Sequence, residues 1–260
     1  MNVLSPYQVA SIRIISAGLV LLPFAAKAMR NIAKEKRGVV VLSGLLGSFF
    51  PAYLFCIAET KIDSALAGIM NALTPLFVIL TGISFFQLQV KKLQLIGIIV
   101  GFIGLSLLVA AGSNISLEYF SYSLLVLLAT LFYGINVNMV GKHMQGIGSL
   151  EIASMAFVFL LIPCSIILYF TGYFALPLTE DAYLLSTGAS AVLGIFGTAV
   201  ASVLFYMLVK RAGALFASMV TYGIPFVAIG WGIWGGEQVN LIQVTCCGII
   251  LVGVYLANKK

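Results

Sequence analysis

Apolar residues run along this chain in long blocks separated by short polar ones. Nine blocks stand out, at 6–26, 38–58, 64–87, 93–112, 119–141, 149–171, 184–209, 214–236 and 241–257. Each is close to the roughly 20 apolar residues a helix needs to cross the hydrocarbon of a bilayer. None alternates with a period of two, and all are too long for ordinary strands. A helix satisfies every backbone group internally, as hydrocarbon demands. The pattern therefore predicts an all-α, polytopic helical membrane protein with nine spans. The connections are short, so consecutive helices are expected to be antiparallel neighbours.

Composition narrows the function. Of the 260 residues, 62% are hydrophobic and 8% charged, against about 25% charged in a soluble domain. That excludes a soluble enzyme, a nucleic-acid module and a disordered chain. The net charge of +6 matters through its placement. Twelve of the 14 basic residues fall in one set of connections: Lys27, Arg30, Lys34, Lys36, Arg37, Lys91, Lys92, Lys142, Lys210, Arg211, Lys259 and Lys260. The opposite set holds Lys61 with Glu59, Asp63, Glu118, Glu180, Asp181 and Glu237. Basic flanks mark the cytoplasmic side, so the expected location is a cell membrane with the C-terminus inside. The four cysteines lie in apolar runs without a CxxC pair and read as small hydrophobes. His143 is the single histidine, and no HExxH, GxSxG or nucleotide-binding loop is present. No catalysis, metal or cofactor is expected. The expected partners are the bilayer and a small molecule, with no nucleic acid; a homodimer is compatible with the pattern.

The chain also matches itself at a shift of 150. Gly44 meets Gly194, Gly47 meets Gly197, Leu54-Phe55 meets Leu204-Phe205, Ala67 meets Ala217, Pro75 meets Pro225, Ile79 meets Ile229, and Gly82-Ile83 meets Gly232-Ile233. A shift of 143 pairs Gln8–Ile12 with Glu151–Met155. Helices two to five of the second half thus have partners in the first, and the block at 119–141 has none. The expected division is a repeat at 1–112 and a repeat at 113–260, together one transmembrane domain. An odd-numbered unit inserts its second copy upside down, and the charges agree: Lys61 and its mate Arg211 fall on opposite sides. Inverted repeats of this kind build secondary transporters. The expected complete architecture is an inverted 5+5 arrangement of ten helices. Nine of them are in this chain, and the first is missing through truncation or degradation.

Several stretches carry a family resemblance. Ser5-Pro6-Tyr7-Gln8-Val9-Ala10-Ser11-Ile12-Arg13 opens a helix with a proline and places an arginine near its outer end. The run from Ala65 to Gln87 combines small residues, a central Pro75 and a polar exit. Gly97 and Gly104, then Phe132-Tyr133, then Ala217, Pro225 and Glu237 complete the set. Together with the repeat they resemble the EamA-type permeases of the drug/metabolite transporter superfamily. The resemblance covers nearly the whole chain and implies a carrier for small metabolites, such as amino acids or related polar and amphipathic compounds, working by alternating access. Two departures stand out. The first helix is absent, and Gln87 sits where the family usually has an acid. The alternative reading is a truncated or non-transporting membrane protein, or a subunit, of the same fold.

A carrier's site is expected near the midplane where the repeats meet. Asn71 lies one turn before Pro75, which removes the backbone donor for the Asn71 carbonyl; its mate Thr221 stands likewise before Pro225. This pair is the leading substrate-contact candidate, and hydrogen bonding across packed helices is the plain alternative. Tyr133 and Asn136 share one face of their helix and line either a cavity or a packed interface. Tyr53 and Tyr222 are candidate aromatic walls. Pro75, Pro225 and Arg13 are the candidate hinge or gating residues; Arg13, inside a span, meets an anion or snorkels to the surface. Carboxylates near the midplane are absent, which favours facilitation or exchange over proton coupling.

Overall fold

A computed structural model gives the structure of the protein and describes residues 3–62, 64–110, 120–223, 227 and 241–258. Those residues form helices joined by short turns, with no strand among them. They are α1 (Pro6–Asn31), α2 (Lys34–Ala58), α3 (Ser64–Asn71), α4 (Thr74–Phe86), α5 (Lys92–Ala110), α6 (Phe120–His143), α7 (Ser149–Phe170), α8 (Asp181–Ala212), α9 (Ala214–Gly223) and α10 (Leu241–Asn258). Among the described residues, five stretches are long and apolar enough to cross a bilayer: α1, α2, Ser121–His143 of α6, α7 and α8. The chain is a polytopic helical membrane protein. Apart from 64–87 and 214–236, its expected spans reappear with ends shifted by a few residues, since charged residues such as Arg30, Lys34 and Lys210 extend helices beyond their apolar blocks. The expected span at 214–236 is described only as far as Gly223. Pro225, Trp231 and Glu237 lie outside the described residues.

Helix starts follow local chemistry. Ser5 N–H donates to Gln8 Oε1 at 2.8 Å and Gln8 N–H to Ser5 Oγ at 3.3 Å, a capping box that satisfies two otherwise orphaned donors. Its repeat mate behaves alike: Glu151 Oε2 accepts from Gly148 N–H at 3.1 Å at the start of α7. Gln8 also reaches across, donating from Nε2 to the Thr171 carbonyl at 3.0 Å and tying the start of α1 to the end of α7. Basic side chains close helix C-termini. Lys142 Nζ donates to Phe86 O at 2.9 Å at the end of α4, and the Arg37 guanidinium donates to Met29 O and, at 3.2 Å, to Ile32 O at the end of α1. Cations there also complement the helix dipole.

Repeat-related helices pack on one another. The broadest interfaces are α1 on α7 and α5 on α10. In the second, small residues bring backbones together: a Cβ on Gly253 would stand 2.4 Å from Gly101 N and 2.7 Å from Gly97 O. Close backbone approach of this kind is how helices gain van der Waals contact in lipid. The outer surface is apolar, with Leu22, Ile162, Tyr169, Phe170 and Leu185 exposed. The buried set includes Ser43, Asn136, Asn138 and Ser154. That distribution suits a lipid solvent, in which polar groups turn inward.

The expected single span at 64–87 is broken. α3 ends at Asn71 and α4 starts at Thr74. Pro75 has no N–H for the Asn71 carbonyl, but that carbonyl is not left open. Thr74 Oγ1 donates to it at 2.6 Å, because a hydroxyl one residue before the proline can reach back over the gap.

Candidate functional site

α1, α2, α3, α4, α6, α8 and α9 enclose a cavity of about 720 Å³, in the size range of small-molecule sites. Irregular backbone makes much of its wall. In α2 the ladder slips to bonds five residues back over Leu45–Phe49, as Phe50 N–H to Leu45 O shows. Pro51 helps cause this, since it cannot donate to the Gly47 carbonyl. α8 has a matching stretch at Ile195–Val200, with Ala201 N–H to Phe196 O. Such wide turns re-aim side chains and recur at functional sites. Here they turn Gly47 and Ser48 from one side, and Gly197 and Thr198 from the other, onto the same space.

The lining repeats at the shift of 150. Gly47 and Gly197, Ser48 and Thr198, Ala52 and Ser202, Phe55 and Phe205, and Asn71 and Thr221 all face the cavity. The break after α3 and the tight end of α9 both contribute. Asn71 ends α3, and Thr221 lies in the tight turn Met219–Gly223, where its Oγ1 donates to Ser218 O at 3.0 Å. The shared 150-residue spacing was the signal for Ser48, Thr198 and Ser202, which sequence reasoning passed over.

Of the other sequence candidates, Tyr133, Asn136 and Arg13 also line the cavity. Asn136 is held in place: its Oδ1 accepts from Ser43 Oγ at 2.5 Å, and Tyr206 stands beside both. Tyr53 and Tyr222 are placed away from the lining. Tyr53 packs inside the bundle, its hydroxyl 2.7 Å from Ser11 Oγ and 3.7 Å from Cys164 Sγ. Tyr222 Oη donates to Ile98 O at 3.0 Å and pins α9 to α5. Pro75 is buried in the first turn of α4. Asn138, the remaining amide of α6, rivets α6 to α4, donating from Nδ2 to Val78 O at 2.8 Å and Thr81 Oγ1 at 3.0 Å.

One charged residue was missed. Glu59, just past the end of α2, lines the cavity together with Arg13. It lies too near the end of an apolar block for periodicity to assign it inward. The surrounding protein raises its carboxyl above the ordinary range through desolvation, and the Arg13 charge opposes that rise. Arg13 stands where α1 meets α8, with its own backbone against Gly194: a Cβ there would lie 2.4 Å from Arg13 O. The Arg13 Nε is buried and has no hydrogen-bond partner among the described residues. No grouping of metal-ligating side chains occurs among the described residues.

Comparison with known proteins adds the following. The profile of the EamA-like transporter family matches residues 1–110 and 120–259. An uncharacterized transporter of Archaeoglobus fulgidus is 26% identical over 259 residues, 99% of this chain and 90% of the relative. The uncharacterized inner membrane transporter YedA of Escherichia coli K12 is 24% identical over 260 residues, 97% of this chain and 81% of the relative. A solved crystal structure superposes with a TM-score of 0.73 at 16% identity, over 98% of this chain and 88% of the other. That last likeness concerns the fold alone.

Proposed function

The chain belongs to the EamA-like transporter family, and from that premise we propose that the central cavity carries small polar or amphipathic metabolites, such as amino acids or related compounds, across a cell membrane by alternating access. The observation that supports this reading is the paired lining: residues 150 apart meet around one space of about 720 Å³. A site built from related halves has two similar ways to open, which is the geometry alternating access needs. In this reading the repeats at 1–112 and 113–260 form opposing walls, and the breaks at Asn71 and near Thr221 are the points that flex. Polar contacts come from Asn71, Thr221, Tyr133 and Asn136. Phe55, Phe205 and Leu204 supply the apolar part. In this reading the C-terminus faces the cytoplasm, the side that the basic connections favour.

The test is counterflow in proteoliposomes with a panel of amino acids and related metabolites. Asn71→Leu should insert and melt as the parent does, and move the permeant at least tenfold more slowly. Unchanged flux would remove Asn71 from the site. Reporter fusions after Lys61 and at the C-terminus should report opposite sides of the membrane.

A further inference from the structure

The charges of the cavity are few. Among the described lining residues, Arg13 is the one cation and Glu59 the one carboxylate. The two are near enough for the guanidinium to influence the Glu59 carboxyl. The Cys56 thiol lies against the Arg13 guanidinium, yet the Arg13 Nε has no acceptor among the described residues, and buried donors are nearly always paired. A guanidinium offers parallel N–H groups that match a carboxylate. The neighbouring walls are apolar, with Phe55, Phe205 and Leu204 in reach of an apolar tail.

Charge counting then links the anion to a proton. With Glu59 ionised, the Arg13–Glu59 pair sums to zero. A bound monoanion at Arg13 would add a net negative charge to the cavity, which is costly where the lining of Phe55, Phe205 and Leu204 shields it from water. A proton on Glu59 restores the balance. We propose that the cavity binds an amphipathic organic monocarboxylate at Arg13 together with one proton on Glu59, so that anion and proton enter as a neutral pair. This rests on the transport reading of the same cavity. Desolvation raises the Glu59 carboxyl above its ordinary range, and the Arg13 charge opposes that rise. The other titratable groups around Glu59 are Cys56 one turn back on α2, Lys61 two residues on, Tyr122 of α6 packed on the Ala58–Ile62 segment, and Tyr133 and Tyr206 on the cavity wall. None of these carboxyl-free groups duplicates the role assigned to Glu59. Binding linkage is reciprocal, so the anion favours the proton as much as the proton favours the anion.

The test uses the full chain in lipid nanodiscs, with 3-phenylpropionate as the monoanion and 3-phenylpropionamide as its uncharged counterpart. Between about pH 6 and 8, where the probe is ionised, affinity for the anion should rise as pH falls, by up to about tenfold per unit. Titration calorimetry in two buffers of different ionisation enthalpy should read about one proton taken up per anion. The amide should bind weakly, with no pH dependence. Glu59→Gln should bind the anion tightly at every pH. Arg13→Gln should lose the preference for anion over amide. If Arg13→Gln melts early, Arg13→Lys replaces it, with weaker binding and the same pH slope. A parental slope in Glu59→Gln, or a parental preference in Arg13→Gln, overturns the proposal. Counterflow of neutral and zwitterionic solutes separates the two readings. Movement without proton-linked anion binding overturns this proposal alone. Proton-linked binding with no movement of any solute, the anion included, overturns the transport reading alone.

Discussion

Gly47 is the position where the cavity wall has least room, and adding one methyl there gives a sharp test of the site's construction. A Cβ at 47 would stand 2.2 Å from Asn136 Nδ2 and 2.8 Å from its Cγ. Asn136 is 3% exposed and holds the Ser43 hydroxyl, itself 0% exposed, at 2.5 Å. In Gly47→Ala the amide must turn away. Overpacking of this kind costs about 1–3 kcal/mol, and losing the Asn136–Ser43 bond, with Tyr206 still beside Ser43, costs about 0.5–1.5 kcal/mol more. The expected loss is therefore about 1.5–4.5 kcal/mol, with weaker binding because Asn136 lines the cavity. Asn136→Ala alone removes the bond to Ser43, which keeps Tyr206 beside it, and costs about 0.5–1.5 kcal/mol. The double variant should cost little more than Asn136→Ala, because the atom that the new methyl strikes is gone. Equilibrium unfolding in mixed micelles measures all three. Additive single effects, within about 0.5 kcal/mol, would refute the packing argument.

Other expectations follow from the same contacts. Gly253→Ala pushes a methyl onto the backbone of α5 at Gly101 and Gly97 and should lose about 1–3 kcal/mol; Gly248→Ala, with nothing within 4 Å, should not. Asn138→Ala removes the rivet between α6 and α4 and should cost about 1–3 kcal/mol, read by the same unfolding assay. Glu59 makes stability depend on pH in a defined direction. Its folded carboxyl titrates above the ordinary range, so the folded state holds the proton better than the unfolded one. Below the ordinary range both states are protonated and Glu59 matches Glu59→Gln; as pH rises through the raised value, the parent loses stability relative to the variant. Melting curves at acid and neutral pH check this, and a gap that widens toward acid would contradict it.

Much of the architecture was legible in the chain because the bilayer enforces a simple rule. Blocks such as 149–171 must be helical, and their lengths must match the hydrocarbon. The repeat was legible too, and it led to Asn71 and Thr221. The capping pair Gln8 and Glu151, found first as an alignment, turned out to share one local role at two helix starts. Tyr53 and Tyr222 show where this reasoning stopped. A tyrosine in an apolar block satisfies the pattern equally well beside a cavity or against another helix, and only the hydroxyl's partners tell which.

The sequence by itself determined the class, the number of apolar blocks, the self-match at a shift of 150 and the candidates at its matched positions, because hydropathy and chain periodicity are local properties. The tertiary structure decided which side chains share a space. Wide turns in α2 and α8 rotated Ser48 and Thr198 inward. Helix crossings brought Glu59 beside Arg13, although 46 positions separate them in the chain. Rotation about a helix axis and the angle between helices depend on packing partners far away in sequence, so no local pattern encodes them.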